Sequence, residues 1–146
     1  MGKVAVYPVV SEYQGTKEVL EVAEATPYRL VCMMYEGVTD RITSAKDAME
    51  KQEVALTDEL LSQAIAIVDA LRVSLNLDEG GGLAENLWRL YEYVAERLIV
   101  ASDKNSVMML DECYNLLIQV QEAWDEMPVE IQNARPQELR GYAVAR

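Results

Sequence analysis

Few residues in this 146-residue chain are equipped for chemistry. There is no histidine, so the commonest general base and the commonest metal ligand are both missing. The two cysteines, Cys32 and Cys113, lie far apart and form no zinc spacing. A nucleophilic thiol needs a lowered pKa and a base beside it. Cys32 has only Arg29, three residues back, and the dipole of its own helix, and its setting "LVCMM" reads as burial. Cys113 likewise sits inside an apolar helical pattern. Buried, unpaired thiols are the expectation, which fits a reducing compartment. A carboxylate metal centre in a helical protein needs glutamates pointing inward from facing helices, usually with a Glu-x-x-His partner. The candidates are Glu85, Glu92, Glu96 and Glu112. The first three share a helix whose inward row is Leu87, Leu90, Val94 and Leu98, so they read as solvated face. No catalytic residue, metal ligand or cofactor site is assigned, and what remains is binding.

The elements that would present a binding surface are helices. The length suits one domain, large enough to bury a core without disulfides or metals. No run of 18 apolar residues exists, so no membrane insertion is expected. "MGKVAVYPVVSEYQG" lacks the apolar centre of a signal peptide, and Val6 stands where a myristoylation motif wants Ser or Thr. A net charge of -12 repels phosphate backbones and anionic lipid, which argues against nucleic-acid binding. The stretch after Met127 is slightly basic on this acidic body, with Arg135, Arg140 and Arg146 against Glu130 and Glu138.

Hydrophobic spacing predicts four helices. After an irregular lead and a short helical piece over residues 16–24, Thr26 caps the first, with Pro27 at its first position. Its apolar row is Leu30, Val31, Met34, Val38, Ile42, Ala45 and Met49. Gly37 in mid-helix marks either close packing or a binding surface. A second helix is expected after Thr57, with Asp58 and Glu59 in its first turn and a row through Leu60, Leu61, Ala64, Ile65, Val68, Leu71 and Leu75. Gly80, Gly81 and Gly82 predict a hinge or tight turn. The third row runs Leu83, Leu87, Leu90, Tyr91, Val94, Leu98 and Ile99, broadened by Trp88. Asp103, Asn105 and Ser106 are candidate caps for the fourth, which carries Val107, Leu110, Cys113, Tyr114, Leu117, Val120 and Trp124 and ends before Pro128. Short joints predict an all-α, antiparallel, up-down four-helix bundle. The bundle domain spans residues 1–127 with a short N-terminal helix or cap, and residues 128–146 are expected to form a mobile tail.

The six methionines from Met33 to Met127 and eight tyrosines against no phenylalanine exceed what a core requires. Wide apolar faces such as "VCMMY" and "VMML" fit either a core or a groove for an amphipathic helix.

Three separated signatures then carry a resemblance. "YQGTKEVLEVAEATPYRLVCMMYEGV" from Tyr13 resembles the opening of the flagellar secretion chaperones, the FliS family. "ALRVSLNLDEGGGLAENLWRLYEYVAERLIVASDKNS" is similar to the family's second signature, and "LDECYNLLIQVQEAWDEM" to its last helix. Met34 stands where leucine is usual, Ser102 where asparagine is usual, and the triple glycine is looser than the family's turn.

The resemblance implies a cytoplasmic, non-enzymatic chaperone that holds the disordered C-terminal segment of flagellin and delivers it to the flagellar type III export apparatus. It implies that an N-terminal cap carrying Tyr7, Tyr13 and Gln14 shields the groove until flagellin displaces it. Leu30, Met33, Met34 and Tyr35, with Trp88 and Tyr91 between the second and third helices, would line the partner surface. An export-gate component or a flagellar regulatory protein is a further expected partner. The alternative is a helical adaptor or regulator of a secretion system.

Overall fold

The computed structural model describes residues 26–75, 77–126 and 128–133. The expected helical piece at residues 16–24 and the cap residues Tyr7, Tyr13 and Gln14 lie outside them. Five helices are present among the described residues: α1 (Pro27–Glu50), α2 (Val54–Val73), α3 (Leu77–Lys104), α4 (Val107–Asp125) and the single turn α5 (Val129–Gln132).

The first four pack as the expected antiparallel bundle. Each of α1 and α3 lies against both α2 and α4. Side-chain ties fix the direction of each pair. Arg41 Nε donates to Gln63 Oε1 at 3.0 Å between the middles of α1 and α2. Ser102 near the end of α3 donates to Asp58 near the start of α2 at 2.7 Å. Lys46 pairs with Asp111 at 2.9 Å between the end of α1 and the start of α4.

Local chemistry explains where the helices stop. Thr26 Oγ1 accepts from Arg29 N–H, which caps α1 as expected. At the other end of α1, Gln52 adopts φ 61°, and the amides of Gln52 and Glu53 donate to the carbonyls of Met49 and Ala48. This left-handed closure of the helix is one that glycine makes most easily. Asn105, at φ 53°, does the same for α3. Ser106 follows at once as the cap of α4, its Oγ accepting from Met109 N–H. Helix α2 begins a turn earlier than expected, at Val54. Thr57 is not its cap: buried in the helix, its hydroxyl donates to the Glu53 carbonyl. Among the three glycines only Gly81 breaks the helix, at φ 57° and ψ -141°, so the expected hinge is a one-residue kink within α3.

Replacing Gln52 with glycine removes a left-handed penalty of about 1–2 kcal/mol, partly offset by about 0.4–1 kcal/mol of added freedom in the unfolded chain. The expected gain is about 0.5–1 kcal/mol, seen as a higher midpoint in urea unfolding with an unchanged slope.

The core rows are those the spacing predicts. Val38, Ile42 and Ala45 of α1 meet Leu61, Ile67, Val68 and Leu71 of α2, Val94 and Leu98 of α3, and Leu110, Cys113 and Leu117 of α4. Each fully buried aliphatic side chain contributes about 1.5–3 kcal/mol. Leu83 and Ile99 depart from expectation: both were placed in the inward row of α3 and both are exposed, at 54% and 51%. Ile99 follows the fully buried Leu98, and one residue turns a helix by about 100°.

The start of the expected tail is also ordered onto the bundle. Helix α5 touches the beginning of α1, where Thr26 Oγ1 donates to the Gln132 carbonyl at 2.9 Å. The rest of the tail, from residue 134, lies outside the described residues.

Candidate partner-binding surface

A core completed by inward rows leaves the outer seams between helices free for function. The seam between α2 and α3 is the most developed. Trp88, Glu92, Ala95, Ile99 and Ser102 recur every three or four residues along α3 and form one row. Val54, Asp58, Ile65, Asp69 and Arg72 form the facing row on α2. Two ties close the rows on each other: Ser102 on Asp58 at one end, and Arg72 at the other. Arg72 reaches Asp69 at 3.4 Å and Glu92 at 3.9 Å and lies 5.5 Å over the Trp88 ring. It thus holds Trp88, half-buried, in a fixed orientation through a cation–π contact. Val54 and Ile99 are exposed, and the two rows also carry Asp58, Asp69 and Glu92. The arrangement is a mixed apolar and acidic seam, and an amphipathic helix is one form of partner that can lie along such a face.

The seam between α3 and α4 is polar on its outside. Glu112 accepts from Tyr93 Oη at 2.6 Å and from Arg97 Nε at 2.8 Å. These two bonds, Tyr93's first, hold the Glu112 carboxyl below the usual glutamate range. Met108, at the start of α4, is 81% exposed and buries nothing of the core.

The residues singled out from the sequence divide into three groups. Tyr7, Tyr13 and Gln14 lie outside the described residues. Trp88 is half-buried in the α2–α3 seam, and Leu30 is half-buried in the first turn of α1. Met33, Met34, Tyr35 and Tyr91 are buried. The structure brings Tyr35 and Tyr91 together across the bundle: their hydroxyls hydrogen-bond, and their rings are tilted at 53° with centroids 6.4 Å apart. Burial raises both hydroxyl pKa values above the ordinary tyrosine range. The pair is an internal polar contact between α1 and α3, the two helices that face each other diagonally. Ile99 reads as core from the sequence, Val54 is not singled out by it, and Met108 belongs to a stretch that fits either a core or a groove. The step from Leu98 to Ile99 off the inward row was the available signal.

The thiols are as quiet as the sequence suggested. Cys32 and Cys113 are both buried and unpaired. Burial raises both pKa values, and Cys113 is pushed from 9.0 up to about 12. A raised pKa means the folded state keeps a proton that the unfolded chain loses. The contribution to stability is therefore full below pH 9.0 and lost as pH rises toward about 12. Denaturant midpoints are expected to fall across that window, and Cys113→Ala is expected to flatten the fall. In the folded protein near neutral pH, a thiol reagent should leave Cys113 unmodified until denaturant is added.

The chain matches the model of the family described as flagellar protein FliS over residues 10–131. The chain belongs to the FliS family. It is 37% identical over 116 residues to the flagellar secretion chaperone FliSB of Pseudomonas aeruginosa, covering 80% of this chain and 92% of that protein. It is 30% identical to the flagellar secretion chaperone FliS of Vibrio cholerae, covering 82% of this chain and 88% of the relative. The corresponding protein of Salmonella typhimurium is 34% identical, over 73% of this chain and 79% of its own length. FliS is a family of chaperones, not of enzymes. Exposed large apolar side chains among the described residues include Val54 and Ile99, and also Leu56, Val73, Leu83 and Met108. No helix among the described residues is long and apolar enough to cross a membrane.

Proposed function

We propose that this chain is a cytoplasmic export chaperone for flagellin. It holds the disordered C-terminal region of the subunit, keeps it from polymerising early and delivers it to the flagellar type III export apparatus. The observation that supports this reading is the match to the FliS family over residues 10–131, with apolar side chains such as Val54 and Ile99 left outside a completed core. A disordered segment spends about 2–5 kcal/mol of its contact energy on becoming ordered. The α2–α3 seam alone is too little to offset that, so the partner runs beyond it. Leu30 on α1 and Trp88 on α3 contact it, the buried Met33, Met34, Tyr35 and Tyr91 shape the surface from beneath, and Tyr7, Tyr13 and Gln14 belong to a cap that flagellin displaces.

The test is filament assembly. Monomeric flagellin mixed with an equimolar amount of this protein is expected to show suppressed growth of light scattering when seeded. Flagellin lacking its C-terminal segment should not be retained by the chaperone. Undiminished assembly beside a folded, soluble chaperone would oppose the reading and favour an adaptor or regulatory role.

A further inference from the structure

We infer that the last turn of α4 and the chain that follows it form a latch on the first turn of α1, so that the two ends of the bundle chain open and close as one unit. Three contacts converge at this pole. The rings of Tyr28 and Trp124 are stacked, with centroids 5.6 Å apart and planes within 8°. Trp124 Nε1–H donates to the Tyr28 carbonyl at 3.2 Å. Thr26 Oγ1 donates to the Gln132 carbonyl at 2.9 Å while accepting from Arg29 N–H. The Thr26 hydroxyl therefore does two jobs at once: it caps α1 and fastens α5.

The contacts differ in kind from those deeper in the bundle. Thr26, Tyr28 and Trp124 are only half-buried, whereas Tyr35, two turns further along α1, is fully buried. A four-residue helix has no stability of its own, so α5 exists through its attachment. A patch with few buried contacts and half-exposed hydrogen bonds is where local opening occurs at low free energy. The Trp124 bond to a carbonyl of the first turn of α1, and the Thr26 bond to α5, make the opening of either side loosen the other. Coupling of this kind is reciprocal. A partner that draws away the chain after α4 would loosen the start of α1, and the converse holds equally.

Thr26→Asp separates the two jobs of the hydroxyl. A carboxylate still accepts at the cap position and suits the positive end of α1, whose first turn holds no acid. It has no proton to donate to Gln132 and repels that carbonyl. Amide hydrogen exchange on the full-length chain is the readout. Thr26→Asp should speed exchange at Gln132 and Asn133, which donate to Pro128 and Val129, by roughly fivefold or more, with α1 unchanged or better protected. Trp124→Leu, which keeps an apolar side chain but removes the stack and the donor, should speed exchange both there and at Leu30 in the first turn of α1. Protection around Ile42 should stay as in the parent, which shows the bundle is folded. Parent-like exchange at Gln132 and Asn133 in Thr26→Asp would overturn the latch. So would Trp124→Leu acting on only one side, or equally throughout the bundle.

Discussion

Tyr35→Ala is expected to destabilise the bundle by about 3–5 kcal/mol, the range for removing a large buried ring. Tyr35 has no exposed surface, and Val38 and Ile42 follow it along the same buried row. The loss combines a cavity with an abandoned partner, because the Tyr91 hydroxyl shares its hydrogen bond with Tyr35 in an apolar interior. Tyr35→Phe isolates the second part. It leaves the Tyr91 hydroxyl unpaired and should cost about 1–3 kcal/mol, as should Tyr91→Phe. The double Phe variant removes both polar groups and should recover much of that loss, so the cycle gives a strong coupling. Urea unfolding followed by circular dichroism measures all four proteins. A Tyr35→Ala protein as stable as its parent, yet weak in partner binding, would mean the side chain faces a groove and the diagonal contact is not made.

The second large effect is on binding. Ile99 stands in the α2–α3 seam with its side chain outside the core. Ile99→Lys places a charge at an apolar position of the seam, and a buried unpaired ammonium is costly in an interface. Near the end of α3 a cation suits the helix dipole, so folding stability should move by less than about 0.5 kcal/mol. Affinity for the flagellin C-terminal segment is expected to fall by about 2 kcal/mol, roughly thirtyfold. Trp88→Ala should weaken binding as well, and with it some stability, since Arg72 loses the ring it packs on. Met108→Lys is the control: Met108 is equally apolar but begins α4, away from this seam. Loss of binding in the control but not in Ile99→Lys would move the partner surface to α4.

The architecture was legible because its determinants are local. Thr26 followed by Pro27, rows repeating every three to four residues, and short joints point to an antiparallel bundle. What escaped depends on tertiary position. Thr57 reads as a cap and is an interior residue, because Gln52 turns the chain earlier than a glutamine usually does. Ile99 and Leu83 read as core because composition cannot tell the edge of an inward row from its centre. Tyr35 and Tyr91 are expected at the partner surface through the family resemblance, although Tyr91 also falls in the inward row of the third helix. Their hydroxyls instead satisfy each other between diagonal helices, a pairing 56 residues apart in sequence that no local pattern shows. Trp88 broadens the apolar face in the sequence pattern, but its setting under Arg72 needed the facing helix. The pairing of Thr26 with Gln132 spans 106 residues and was equally invisible.

The most direct test of the chaperone reading is calorimetric titration of the full-length protein with the C-terminal segment of flagellin from the same organism. The expected result is a saturable one-to-one heat that grows more exothermic with temperature. That negative heat-capacity change marks apolar burial coupled to folding of the segment. Absence of heat at every temperature, from a protein whose helices are intact by circular dichroism, would contradict it.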